Sequence, residues 1–189
     1  AKLEVTDDRS CELDARFFGN IIHEVVSRFG KHSIRDSDDE DAVREFLREE
    51  LKRCAREWLG GERLPAVNLQ ISQIAKRLDA LASWQVGWVR LGWRIRHTEV
   101  PDDEGTVAWK TDQGTMQIRG RIDRIDYHEA TKRWMVFDYK TSDHVKSPEK
   151  THRAEQGWID LQLPLYRHIV KLLGIHEPVS LGYILLPKE

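Results

Sequence analysis

The chain of 189 residues is 40% hydrophobic and 33% charged, enough to bury the core of one globular domain and a composition that excludes a disordered or fibrous chain. Its net charge of −2 excludes binding of an anionic partner by bulk charge alone, although acidic metal ligands can offset a basic groove and hide it in the total. The two cysteines, Cys11 and Cys54, lack the close pairing of zinc ribbons and point to reduced thiols, and the absence of a long apolar stretch or signal-like N-terminus points to a soluble cytoplasmic protein with no membrane segment.

In chain order, the first predicted element is a helix from about Asp14 to Phe29. Phe18, Ile22, Val25 and Phe29 recur at helical spacing, with Asp14 available as N-cap and Gly30 as the stop. Ser37 followed by Glu40 reads as a capping box for a second helix, whose stripe of Val43, Leu47, Leu51, Cys54 and Trp58 ends at Gly60-Gly61. The charged run from Arg44 to Arg56 reads as its solvated face. A third helical pattern runs from about Leu69 to Arg90, through Ile74, Leu78, Leu81 and Val89, and stops near Gly92. Trp84, Trp88 and Trp93, at near-helical spacing, read as core filling ahead of a base-stacking platform.

The second half changes period. Trp93 to Val100, Gly105 to Lys110, Thr115 to Tyr127 and Arg133 to Thr141 read as strands separated by PDDEG, TDQG and HEATK, short connections of the kind that join antiparallel neighbours. A polar stretch after Ser147-Pro148 leads to the helical segment LQLPLYRHIVKLLG, with Pro164 confined to its first turn, and then to a last strand from Ser180 to Leu186. Helices, an antiparallel meander, a helix and a final strand make an α/β fold with a mixed central sheet. We expect a single domain in which the helical segment of about residues 37–91 forms a subdomain. The chain begins at Ala1 in mid-pattern, and a piece of a larger polypeptide is expected.

The chemistry sits in the strands. In RWMVFDYKT, Asp138 and Lys140 share one strand face about 6–7 Å apart, while Phe137 and Tyr139 face the other way. A carboxylate and an ammonium at the end of an apolar strand are costly unless they pair or hold an ion. A structural ion pair explains this segment alone as well as a catalytic site does. Upstream, MQIRGRIDRIDY sets Met116, Ile118 and Ile122 against Gln117, Arg119, Arg121 and Asp123, then loses its alternation after Asp123, where a bulge or strand end is expected. If the two strands pair through HEATK, Asp123 and Asp138 converge with Arg119 and Arg121 nearby, and converging carboxylates form a site for Mg2+ or Mn2+. Lys140 beside that ion would steady an attacking water and developing negative charge. Asp123 by itself would read as a structural turn residue.

Together, GRIDRID, a hydrophobic strand ending in DYKT and QLPLY in the next helix resemble the PD-(D/E)xK nuclease superfamily. Within it they resemble the RecB-like branch, which includes the nuclease domains of RecB- and AddB-type helicase–nucleases and the nucleases of CRISPR spacer acquisition. The resemblance covers nearly the whole chain in order. It implies a restriction-endonuclease-like fold and a divalent-metal-dependent deoxyribonuclease. It further implies an exonuclease acting on DNA ends in repair or recombination, with a helicase domain or subunit as partner. By the same resemblance Asp123 takes the place of the second-motif aspartate, Asp138 and Lys140 the acidic and lysine positions of the third motif, and Gln162 and Tyr166 the QxxxY motif. His23, in the GNIIHEVVSRF helix, becomes the remaining metal-site residue. His23, Asp123 and Asp138 are thus expected to hold Mg2+ or Mn2+, and Asp123, Asp138 and Lys140 to carry catalysis. Gln162, Tyr166, Arg119 and Arg121 are expected to contact DNA. Glu99 stands where related sequences often carry a glutamate and is assigned no role. No iron–sulfur cluster is expected, since no cysteine follows Tyr166.

Blander readings stand beside these. A lone histidine next to an apolar stripe reads as a satisfied core or surface residue, and Gln162 and Tyr166, four apart on one helix face, either bond a phosphate or pack on the sheet. A relative that keeps the fold for DNA binding or scaffolding without catalysis is a second reading, opposed by the presence of every expected residue. A zinc hydrolase is a third, opposed by eight scattered histidines without HxxxH or HxH spacing.

Overall fold

Three helices fill the first half of the chain: α1 (Ala15–Lys31), α2 (Glu40–Leu59) and α3 (Pro65–Arg90). The computed structural model describes residues 12–101, 106–141, 153–154, 157–158 and 162–186. Asp14 caps α1, accepting the Phe17 backbone N–H at 2.7 Å. Gly30, expected as the stop, lies inside the helix instead. A Cβ at Gly30 would sit 2.3 Å from Cγ2 of Thr98, so this glycine lets α1 approach the sheet and has no part in termination. The cap of α2 is likewise Asp39 in place of Ser37: Asp39 Oδ1 accepts the N–H groups of Asp41 and Ala42, while Ser37 Oγ accepts the Asp39 N–H. The third helix starts earlier than its apolar pattern, at Pro65, whose fixed φ suits a first helical turn.

The stripes meet as their spacing requires. Val43, Leu47, Leu51 and Cys54 of α2, and Ile74, Leu78 and Leu81 of α3, bury against Ile21, Ile22, Val25 and Phe29 of α1. Trp58 leaves this core and is 40% exposed. The outer face of α2 is solvated and laced with ion pairs, Arg44 to Glu40 and Asp41, Arg48 to Asp79, and Lys52 to Glu49. Burial pushes the Cys54 thiol up to about 11, so it stays protonated; Cys11 lies outside the described residues.

The second half holds β1 (Trp93–Val100), β2 (Thr106–Thr111), β3 (Gly114–Arg119), β4 (Ile122–His128), β5 (Arg133–Lys140), β6 (Arg153–Ala154), β7 (Gly157–Trp158), α4 (Gln162–Leu172) and β8 (Val179–Leu185). Four of the strands make a mixed sheet in the order β1-β4-β5-β8, antiparallel except for β8, which runs parallel to β5. Strands β2 and β3 form a separate hairpin, as do β6 and β7. Pro164 is the third residue of α4, within its first turn. The first three helices pack with Ile95, Phe137, Tyr139 and Ile184 on one side of the sheet, while Tyr166, Ile169 and Val170 of α4 pack with Ile122, Ile125 and Val136 on the other. This is the expected mixed sheet flanked by helices, with a helical N-terminal part. Among the described residues no helix is long and apolar enough to cross a membrane.

Two strand readings are corrected. The PDDEG connection does not join paired neighbours, because β1 pairs with β4. The single strand expected from Thr115 to Tyr127 is two, broken at Gly120 and Arg121, and Asp123 lies within β4. Alternation fails beyond Asp123 because charged residues take core positions there. Arg124 and Asp126 are both fully buried and joined by two hydrogen bonds of 2.7 Å, and the Trp88 indole N–H donates to Asp126 at 2.7 Å. Trp84, Trp88 and Trp93 stack in series, with ring centroids 5.2 and 4.8 Å apart, and the Arg124 guanidinium lies 5.3 Å from the Trp84 centroid. The tryptophans therefore wall in a charged pair.

Candidate metal centre

Register brings three carboxylates to one end of the sheet. Thr98 pairs with Arg124 and Val100 with Ile122, while Arg124 pairs with Phe137 on its other side. Glu99 of β1 and Asp138 of β5 therefore flank Asp123 of β4. At this end the parallel strands β5 and β8 finish, the position where open α/β sheets place their ligands. The same end is reached by His23 of α1, whose ring lies 6.1 Å from that of Tyr139.

His23, Glu99 and Asp123 each offer one ligand atom within 4.8 Å of the other two. His23 Nδ1 stands 3.8 Å from Asp123 Oδ1, too far for a hydrogen bond. The second oxygen of Asp123, Oδ2, accepts the Tyr139 backbone N–H at 2.8 Å, which fixes the carboxylate with Oδ1 nearest His23. Glu99 has a left-handed backbone, φ 54°, a conformation that costs a non-glycine residue about 1–3 kcal/mol and persists where the surroundings enforce it. A register shift between Ile95 and His97 precedes it in β1. Arg121 Nη1 approaches Glu99 Oε2 at 3.4 Å.

Burial, then the Asp138 carboxylate, then Glu99 push the Asp123 carboxyl up to about 8, against the opposing pull of the Tyr139 N–H and Lys140. A divalent cation relieves this stress, since it replaces lost hydration and offsets like-charge repulsion. Two carboxylates and an imidazole suit Mg2+ or Mn2+, so the residues present fit such an ion.

Asp138 lies alongside this group. Its Oδ2 is 2.7 Å from Lys140 Nζ and its Oδ1 is 3.3 Å from the Tyr166 hydroxyl. Glu99 thus stands with His23 and Asp123 in the three-residue group, and Asp138, the other residue expected to hold the ion, is near enough for its carboxylate to raise the Asp123 carboxyl. Lys140 Nζ also lies 5.2 Å from the centroid of Tyr183, the residue paired with Asp138 in β8. Tyr166, one of the expected DNA contacts, is buried and packs against the sheet; its hydroxyl is 2.9 Å from the Arg121 carbonyl and holds the start of β4 in place. Arg121 is half exposed and lines a cavity of about 300 Å3 with Asn20, His23, Lys31, Trp58 and Glu99. The side chains of Arg119 and Gln162 lie outside the described residues.

The residue that sequence reasoning left without a role is Glu99. A signal existed, an acidic residue near the end of a predicted strand, but only the pairing of β1 with β4 sets it beside Asp123. A family model described as the PD-(D/E)XK nuclease superfamily matches residues 1–189 of the chain. No curated protein matches it.

Proposed function

Because the chain belongs to the PD-(D/E)XK nuclease superfamily, we propose that it is a deoxyribonuclease whose divalent cation is held by His23, Glu99 and Asp123. The observation that carries this reading is the convergence of these three ligand atoms within 4.8 Å, next to the Asp138–Lys140 pair. A Mg2+ or Mn2+ ion there supplies Lewis-acid charge to a scissile phosphodiester.

The chain's own residues do the rest. The Tyr139 N–H holds Asp123 Oδ2, so that Oδ1 stays turned to the ligand group. Asp138 orients Lys140, whose side chain is 27% exposed at the strand end. From there Lys140 donates a hydrogen bond to an incoming water or to the phosphoryl oxygens as negative charge develops on them. Tyr166 steadies Asp138 and the Arg121 backbone from beneath, and the Arg121 guanidinium meets a backbone phosphate at the cavity. On the same reading Arg119 and Gln162 are further DNA contacts. The motifs GRIDRID, DYKT and QLPLY support an exonuclease of the RecB-like branch, acting on DNA ends in repair or recombination with a helicase domain or subunit.

Digestion of end-labelled linear DNA and matching circular DNA, with Mg2+, Mn2+ or EDTA, tests this. Cation-dependent loss of label from the linear form alone is the expected result, and Asp138→Ala should suppress it. Failure to cut either form with any cation refutes the nuclease reading; cutting of the circle would keep it and remove the exonuclease part.

A further inference from the structure

We propose that Trp58 is a stacking platform for the base of a single-stranded nucleotide beside the candidate metal centre, with Lys31 and Asn20 of α1 carrying the strand's backbone. The inference rests on the nuclease reading above and adds the form of nucleic acid that the site takes.

Along α1, Asn20, His23, Ser27 and Lys31 follow one another at intervals of three and four residues and so fall on one helix face. That face lines the same cavity of about 300 Å3 as Glu99 and Arg121 from the sheet end and Trp58 from the last turn of α2. At about 1.5 Å per residue the stripe from Asn20 to Lys31 is about 16 Å long, with His23 within it, so a strand laid along it passes the metal ligand on both sides. Lys31 is exposed and makes no ion pair among the described residues, whereas the neighbouring Glu24 is engaged by Arg28 at 2.7 Å. The positive charge of Lys31 is therefore open to a phosphate, while the nearest acidic group of the helix is offset.

Trp58 breaks the pattern of its own helix. The residues before it in the stripe, Val43, Leu47, Leu51 and Cys54, are between 0% and 2% exposed, but Trp58 is 40% exposed in a cavity lined mostly by polar groups. Its ring packs edge-on with Phe17 at 5.7 Å and 70°, which orients the indole before a ligand arrives and lowers the entropy cost of stacking. An aromatic face beside cationic and amide groups is the combination that binds unpaired bases without sequence preference. Paired bases are already stacked in their duplex and cannot offer a face to it.

Binding of a short labelled single-stranded oligonucleotide, read by fluorescence anisotropy with Ca2+ in place of Mg2+, tests the proposal on wild type, Trp58→Ala and Trp58→Phe. A matching strand with every base replaced by an abasic residue is the control. Trp58→Ala should weaken binding of the base-bearing strand roughly tenfold, with Trp58→Phe restoring most of it. All three proteins should bind the abasic strand alike. Equal affinity of wild type and Trp58→Ala for the base-bearing strand overturns the proposal, and so does an equal loss on the abasic strand, which would make Trp58 a packing residue for Phe17. Cleavage is read separately: a wild type that binds as stated but never cuts refutes the nuclease reading and leaves the platform standing.

Discussion

Replacing Lys140 with Ala is expected to slow cation-dependent cleavage of linear DNA roughly a thousandfold while leaving the unfolding midpoint nearly in place. The Lys140 side chain is 27% exposed, so water can take the place of its ammonium beside the buried Asp138 carboxylate, 2.7 Å away, and limit the loss of stability. Asp138 keeps the neighbourhood of the Tyr166 hydroxyl, 3.3 Å away, when the ammonium is removed. What disappears is a donor aimed at the place where negative charge builds up on a phosphate beside His23, Glu99 and Asp123. A purely structural ion pair predicts the reverse, a lower midpoint with the cleavage rate per folded molecule unchanged. Initial rates on end-labelled DNA, taken with thermal unfolding of the same samples, separate the two.

The second large effect lies in the core. Arg124→Ala should lower stability by about 3–5 kcal/mol, the cost of stranding one member of a buried ion pair. Asp126 is fully buried, and without Arg124 its carboxylate keeps only the Trp88 N–H among the partners described for it. The loss is a large share of the about 5–15 kcal/mol that holds a typical domain folded. The apolar double replacement Arg124→Met with Asp126→Leu should cost less than Arg124→Ala alone, since no charge is then left in the core. Urea unfolding of the two proteins gives the comparison, and a double variant less stable than the single would show that packing, and not charge, governs this pocket.

How much of this was legible follows from which contacts are local. Asp138 and Lys140 stood out because Phe137 and Tyr139 alternate with them in a strand, and a period of two is visible in any short window. The stripes of the three N-terminal helices were visible for the same reason at their own period. Glu99 could not be read in this way. A register shift between Ile95 and His97 and the left-handed backbone at Glu99 both disturb the alternation of β1. The partner strand β4 lies beyond the β2–β3 hairpin, so the adjacency of Glu99 and Asp123 exists only in the folded sheet. The break in the third predicted strand was placed after Asp123, and not at Gly120-Arg121, because Arg124 and Asp126 occupy core positions that a hydrophobic pattern reserves for apolar residues. Gly30 and Trp58 were misread for a related reason: a glycine near a helix end looks like a stop, and an aromatic in register with a stripe looks like core, until the neighbouring element shows close approach in one case and open space in the other.

The claim on which the rest depends is that His23, Glu99 and Asp123 together hold a divalent cation, and calorimetric titration of Mn2+ into wild type and Asp123→Asn reads it directly. Because the Asp123 carboxyl is pushed up to about 8, a proton competes with the cation below that pH and leaves as the pH rises. The wild type should therefore bind Mn2+ more tightly at about pH 8.5 than at about pH 6, releasing a proton at the lower value. Asp123→Asn should lose at least about tenfold in affinity together with that pH dependence. Equal affinity in the two proteins, or a wild-type affinity indifferent to pH, would contradict the account.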